Sequence, residues 1–459
     1  MEQKITLTTF FILFYLLVQS QSTVLNQYVK RALENNSSLK IQELGQGKNL
    51  LKLREIKGKY LPSLSFHTRY SRAFGGRTFE IPTGDLLNPV FQNLNQLNTE
   101  LSELNPSLPM SAAFGAIGNN EVNFLRNREQ ETYLRVVMPI FNPTLNQTKI
   151  LQNHQVKMGN KKLSLSEKEI LYKVKKSYYN YVKIKVLQDI FSDSKQLAEE
   201  NIRTVKSLIK HHQMTADQVH TATIELRSIE TQIAVANQKE QLAKAYFNGL
   251  LESPYSAPIQ ISEEDLSSTI KTIPLEEAIL AARQNRLEFQ QIELAKSMAE
   301  QHLKKEKANR LPELNLIGDY GFQGTNYALK NDADYGVASL VLSWNILDGS
   351  QSSKVAQVKM DQDILEHEKV LLEKKIEMEV LAAFYEVETA RTKINLAIAK
   401  KENAAKAFQS INKKFKQGQS NLLEITNAQT QLVNSKKEII MAQHDLQVNF
   451  LALEKAMGI

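Results

Sequence analysis

The sequence has no cysteine, one tryptophan and only 11 prolines in 459 residues. Without cysteine there is no disulfide framework, no thiolate metal site, no cysteine nucleophile and no lipid anchor on an N-terminal cysteine. Proline informs by where it is missing. Every proline lies at or before Pro312, and none falls between Pro143 and Pro254. Two stretches, 144–253 and 313–459, thus lack the residue that breaks helices; the first holds only Gly159 and Gly249, and after Gly349 the second holds only Gly418 and Gly458. Charge is nearly balanced. The formal +7 comes from 57 basic and 50 acidic residues interleaved along the chain, which fits solvated helix faces and not a nucleic-acid footprint. A Walker loop, G-x-S-x-G, H-E-x-x-H and a dinucleotide fingerprint are all missing, so neither enzyme chemistry nor a cofactor is expected. His211 and His212 are adjacent, not the i, i+4 pair that chelates metal, and read as a solvated turn. Asp361-Gln362-Asp363 lacks the Gly and Glu of a calcium loop. The lysine runs at Lys173–Lys185 and Lys304–Lys307 read as solvated faces with glutamate partners.

Long apolar runs are scarce too. Ile5 to Val18 is the one candidate, and as a helix it reaches about 20 Å against a hydrocarbon core of about 30 Å. With Lys4 before it and small or polar residues after it, it reads as the h-region of a signal peptide over 1–22. Export is expected, and any membrane contact has to be made without a spanning helix.

What is present is repetition. Leu25, Ala32, Asn35 and Leu61-Pro62 recur as Leu275, Ala282, Asn285 and Leu311-Pro312, an offset of 250; Lys149 matches Lys354 at an offset of 205, and the region of Asp217 matches that of Glu424. The change in offset places an insertion in the first copy, within 75–128. The first copy, 23–253, reads as a helix, strands near 61–74 and 129–141, a long helix over 144–210 and a return helix over 216–250. After a connecting segment at 254–273, the second copy, 274–459, reads as a helix, strands near 312–326 and 333–346, a long helix over 350–416 and a return helix over 421–457. Ile376, Val380, Ala383, Val387, Ala390, Ile394, Ala397, Lys401, Ala404, Phe408, Ile411 and Phe415 alternate steps of four and three. Ile425, Leu432, Ile439, Leu446 and Leu453 recur at sevens, as do Ala222, Ile229, Ala236, Ala243 and Leu250. Such repeats impose left-handed supercoiling. Within the insertion, Leu87, Val90, Leu94, Leu97, Leu101 and Leu104 predict a short amphipathic helix between Pro89 and Pro106.

The strand segments alternate with period two. Leu64, Phe66, Thr68 and Tyr70 share one face, and Leu134, Val136, Met138 and Ile140 another; Leu314, Leu316, Gly318, Tyr320 and Phe322 follow suit, as do Ala338, Leu340, Leu342, Trp344 and Ile346. The opposite faces carry His67, Arg69, Glu131, Arg135 and Asp319. A transmembrane β-strand needs this pattern, lipid on one side and water on the other, and a half-buried soluble strand shares it. Four strands cannot close a barrel, and open edges are not tolerated in lipid, so a membrane reading requires oligomers. A dimer's eight strands leave an interior filled by side chains, whereas a trimer's twelve leave a lumen.

The segment Lys414-Phe415-Lys416-Gln417-Gly418-Gln419-Ser420-Asn421-Leu422-Leu423-Glu424-Ile425-Thr426-Asn427-Ala428-Gln429 resembles R-Y-x-x-G-x-x-S-x-L-D-V-L-D-A-Q, the turn motif of TolC-like outer-membrane efflux proteins. The A-x-x-N near each repeat start, the L-P before each outward strand and the duplication extend the resemblance over nearly the whole chain. The counterpart His211-His212-Gln213-Met214-Thr215-Ala216-Asp217-Gln218-Val219 lacks the glycine. The resemblance implies a mostly helical, mixed α/β membrane protein whose duplicated unit gives four transmembrane strands and long coiled-coil helices. Its expected assembly is a homotrimer with a twelve-stranded β-barrel in outer-membrane lipid, continued by an α-helical periplasmic tunnel. Implied partners are a periplasmic adaptor and an inner-membrane efflux transporter, with no nucleic acid, in the outer membrane of a Gram-negative bacterium. By the same resemblance Glu424, Asn427 and Asp217 form the periplasmic gate, and Gly418, Gln419, Ser420, His212 and Gln213 the adaptor-contact tips. The polar strand residues would line the barrel lumen, and the 75–128 insertion would be an extracellular loop. Asn427 stands where the family has a second acid, and Ser420 where an Arg lock is often found. The competing expectation is a non-conducting periplasmic coiled-coil adaptor or scaffold.

Overall fold

A computed structural model describes residues 23–459 except 108, 110, 263, 268–269 and 326–332. The expected signal peptide lies outside the described residues. The chain divides into two compact units, one from Met1–Arg54, Gln147–Glu306 and Gly349–Ile459, the other from Glu55–Asn146 and Lys307–Asp348.

The first unit is helical. Its elements are α1 (Thr23–Asn35), most of α2 (Ser37–Gly58) and α4 (Pro143–Lys210), α5 (Gln218–Leu250), the short α6 (Glu264–Ser267), α7 (Leu275–Asn285), most of α8 (Leu287–Ala308), α9 (Gln351–Lys416) and α10 (Leu422–Met457). At 68 residues α4 is about 100 Å long, far beyond what a globular core requires. The stepped seam is where α9 buries itself: Ile376, Val380, Ala383, Val387, Ala390, Ala397 and Phe415 are buried, while Lys401, the one charged member, is exposed. Ile425, Leu432 and Leu453 on α10 are buried as well, as are Ala222, Ile229, Ala236 and Ala243 on α5. Among the described residues four clusters punctuate the bundle, the smallest of them Tyr181, Ile184 and Ala243. Tyr178, Val174, Phe247 and Leu25 centre one, with the Tyr28 ring edge-on to Phe247 at 5.1 Å. Ala278, Ala383, Val380 and Leu453 form a second. Val205, Leu208, Phe415, Leu422 and Ile425 close the third, next to the helix turns.

The second unit is a sheet with an excursion. Strands β1 (Ser63–Arg72), β4 (Arg128–Phe141), β5 (Glu313–Gly324) and β6 (Asp334–Ser343) are antiparallel in the order β1-β4-β5-β6, and among the described residues β1 and β6 are its edges. Between β1 and β4 the chain forms a second ladder, β2 (Thr78–Ile81) against β3 (Asn120–Asn123), with α3 (Thr83–Leu104) between its strands. The predicted short helix is thus longer than the spacing alone implied: it starts before Pro89, which lies inside it. The reason is nonlocal. Asn119 Oδ1 accepts the Gly84 and Asp85 N–H groups at 3.0 and 3.2 Å, capping donors that the local sequence leaves unpaired.

Candidate functional site

Strand register puts one kind of chemistry on each sheet face. Leu64 opposes Val136 and Phe66 opposes Leu134; Leu134 opposes Tyr320, Met138 opposes Leu316, and Leu316 and Leu314 oppose Leu340 and Leu342. This apolar face is bare: Leu64 and Leu340 are each 68% exposed, Phe66 65% and Leu342 62%. A contiguous apolar surface of this kind marks a surface made for contact with something apolar.

The other face is ionic. Arg135 grips Asp319 with both prongs, Nε to Oδ1 at 2.7 Å and Nη2 to Oδ2 at 2.8 Å, the paired geometry that makes guanidinium–carboxylate bonds strong. The same guanidinium lies 5.0 Å from the centre of the Tyr133 ring. His67 stacks on the same Tyr133 ring at 5.0 Å, and Ser65 Oγ meets His67 Nε2 at 2.9 Å. Arg69 pairs with Glu131 at 3.1 Å, and Tyr335 OH donates to Glu131 at 3.5 Å. All five sequence-derived polar residues therefore share one face, in two contact groups, one of His67, Arg135 and Asp319 around Tyr133 and one of Arg69 and Glu131 with Tyr335. Gly321 was not singled out by sequence. It stands opposite Tyr133, where a Cβ would collide with the Thr132 carbonyl and the Tyr133 side chain.

The helix turns form the second candidate site. At α9 the chain stops with Gly418 left-handed (φ 72°), Gly418 N–H bonding Phe415 O at 3.0 Å and Gln419 N–H bonding Lys414 O at 2.9 Å. This pair of bonds is a Schellman cap. At α4 the same two bonds recur, His212 N–H to Ile209 O and Gln213 N–H to Leu208 O, both 2.9 Å, with His212 at φ 61°. A histidine thus takes the backbone role of the glycine that the first turn lacks. The pattern appears twice more, around Glu252 (φ 50°) after α5 and Gly458 (φ 76°) after α10. Sequence reasoning placed His212 in the turn but missed its left-handed backbone, and it missed Glu252 altogether, although both stand 206 residues before the glycines that do the same job.

The two turns are neighbours: a Cβ on Gly418 would meet Gln213 Oε1 at 3.1 Å. Gln419, His212 and Gln213 are exposed, whereas Ser420 is buried and its hydroxyl donates to Glu424. Glu424 takes part in its own helix start. Asn421 Oδ1 accepts Glu424 N–H at 2.8 Å, and Asn421 Nδ2 donates to the Glu424 carboxylate at 3.3 Å, a reciprocal cap. Asn427, one turn on, is exposed, as is Asp217 before α5. A hydrogen bond from Thr215 holds the Asp217 carboxyl below its usual range. The turns are tied to the shaft of α4. Lys416 pairs with Glu200 at 2.7 Å, and buried Gln429, last residue of the turn motif, bonds Asn201 at 2.7 Å and the Ser194 carbonyl at 3.1 Å.

The lysine run on α4 requires a correction. Lys175 and Lys183 are half-buried and not on a solvated face; desolvation holds both ammonium groups below the usual lysine range, with Glu454 beside Lys175 and Asp445 near Lys183. Burial in turn pushes the Glu454 carboxyl up. No group of three or more His, Cys, Asp or Glu that could hold a metal occurs among the described residues, and none of their helices is long and apolar enough to cross a membrane, which says nothing of a β-barrel.

The resemblance read from the turn motif holds. Residues 278–459 match the family model described as outer membrane efflux protein. No curated protein matches the chain. Among solved structures, the outer membrane protein VceC of Vibrio cholerae superposes with a TM-score of 0.72 at 13% identity, over 95% of this chain and 96% of that one. The CmeC outer membrane channel of Campylobacter jejuni gives 0.73 at 14%, over 95% and 86%. The open state of the Neisseria gonorrhoeae MtrE outer membrane channel gives 0.72 at 15%, over 95% and 89%. At these identities the likeness is one of fold.

Proposed function

We propose that this chain is one protomer of an outer-membrane efflux channel, a passive exit duct in which three copies close a twelve-stranded barrel continued by a helical tunnel. The observation that carries the reading is the sheet: its apolar face is bare, its opposite face is ionic, and among the described residues its two edge strands have no further partner. Open edges in lipid are prohibitive, so β1 of one copy joins β6 of the next. Helix α9 supports the same assembly, because Ile364, Leu371, Met378 and Tyr385 recur at sevens outside the buried seam and are exposed in the single chain. The recurring caps, 206 residues apart, support descent from a duplicated unit. Substrates reach the duct from an inner-membrane transporter through a periplasmic adaptor, in a tripartite pump or a type I secretion system, and the duct itself performs no chemistry and holds no cofactor.

In this reading His67, Arg69, Glu131, Arg135 and Asp319 line the lumen, and Gly418, Gln419, Ser420, His212 and Gln213 meet the adaptor, with Ser420 acting through the cap beneath the turn. Glu424, Asn427 and Asp217 ring the periplasmic entrance. Heat-modifiable trimers in the detergent-resistant outer-membrane fraction are expected. Release of the protein by osmotic shock would instead favour a periplasmic scaffold, although a scaffold would turn the apolar sheet face inward.

A further inference from the structure

The helix α3 carries a seam with nothing on it. Leu87, Val90, Leu94, Leu97, Leu101 and Leu104 alternate steps of three and four, the spacing of a coiled coil, and each is between 40% and 83% exposed. The exposure is not that of a loosely held loop. Asn88 exchanges two hydrogen bonds with the backbone of Ile117, both 2.9 Å, and Asn95 exchanges two with Phe114, both 2.8 Å. Phe91 stacks on Phe114 at 5.1 Å. Gly84 has no room for a Cβ beside the Ile117 carbonyl and the Asn119 side chain. The strap 114–119 is therefore fastened to one flank of α3, and the leucine seam is left on another.

We propose that this seam is covered by the α3 helices of the other two protomers, forming a three-helix crown on the symmetry axis. The proposal rests on the channel reading above. Three arguments select a second copy as the occupant. The arm bearing α3 continues from β1, the edge strand through which copies must join, and the ladder runs on through Ala73 N–H to Asn127 O and Phe124 N–H to Arg77 O into β2 and β3. The helix has Asp85, Glu100 and Glu103 but no lysine or arginine, unlike helices that lie on lipid headgroups. Six half-exposed leucine and valine side chains also offer roughly 500 Å² of apolar surface per helix, as large as the apolar patches that mark contact surfaces. One face repeated three times about an axis can meet itself only on that axis, which is the axis of the pore. The crown would therefore stand in the exit path, and substrate would leave around its legs.

Because the chain has no cysteine, introduced cysteines report one position at a time. Leu94→Cys and Leu101→Cys lie in the seam, and Gln92→Cys lies on the far side of the same helix. Each variant would be purified as the heat-modifiable trimer and treated with a mild oxidant. Disulfide-linked pairs are expected several-fold more from the seam positions than from Gln92→Cys. Trimers that cross-link at neither seam position, or as readily at 92, overturn the crown and leave the channel standing. Failure of the unmodified chain to form trimers overturns the channel reading itself.

Discussion

The two halves of the helical unit reach one backbone geometry with different side chains. Where α1 gives way to α2, Asn36 Nδ2 donates to Leu250 O at 3.0 Å; where α7 gives way to α8, Arg286 Nη1 donates to Ala456 O at 3.3 Å. Around the first junction the core is aromatic, with Tyr28, Tyr178 and Phe247; around the second it is Ala278, Ala383 and Leu453. Helix α2 meets α4 through amides: Gln46 Nε2 donates to Val156 O at 3.0 Å and Asn160 Oδ1 at 2.7 Å, and Gly159 leaves the space. Helix α8 meets α9 through ions, Lys296 with Glu366 at 2.6 Å and Glu293 with Lys369 at 2.7 Å. The backbone path is the constant, and the means of holding it are exchangeable.

The largest expected break in that comparison is Gly159→Val. Its Cβ would displace the Gln46 amide, adding overpacking to lost buried hydrogen bonds at about 2–4 kcal/mol. Ile364→Val, 205 residues on, removes only one methyl from the stripe that faces the neighbouring copy and should shift the thermal midpoint of the trimer less. Equal shifts would mean that α2 and α4 are not held as described. Next come the turns. Gly418→Ala forces an L-residue to φ 72° beside Gln213 and should cost about 1–2 kcal/mol, whereas His212→Gly should gain up to about 1 kcal/mol. A melting curve for each variant decides this, and a stabilised Gly418→Ala would contradict the shared cap.

A smaller effect separates amides from ions. High salt should loosen α8 against α9 and leave α2 against α4 alone, as read by hydrogen exchange in the two segments, because only exposed ion pairs are screened. Acid should act on the turn. Lys416 holds the Glu200 carboxyl below its usual range, so the contribution of the pair is present above the unfolded carboxylate pKa and is lost as pH falls through the folded one. Glu200→Gln should flatten that part of the stability profile, and an unchanged acid limb would deny the pair a role.

Much of this was legible beforehand, for a physical reason. Burial along a helix follows spacing, so Ile376, Val380, Ala383, Val387 and Ala390 could be read as a seam, and strand alternation separated Leu64 and Phe66 from His67 and Arg69. What spacing cannot carry is register and distant capping. The pairing of Arg135 with Asp319 depends on how β4 lies against β5, and the start of α3 depends on Asn119, more than thirty residues away. The positive φ of His212 and Glu252 was not legible from residue type, because histidine takes that region only occasionally and glutamate rarely. Only their distance from Gly418 and Gly458 could have revealed them.

The central claim is that three of these chains enclose a conducting path, and single-channel recording tests it most directly. Purified trimers in a planar bilayer should give stepwise conductance that prefers cations, and Glu424→Gln should weaken both that preference and block by multivalent cations. Trimers that insert yet pass no current would contradict the account, and unchanged selectivity in Glu424→Gln would remove Glu424 from the pore.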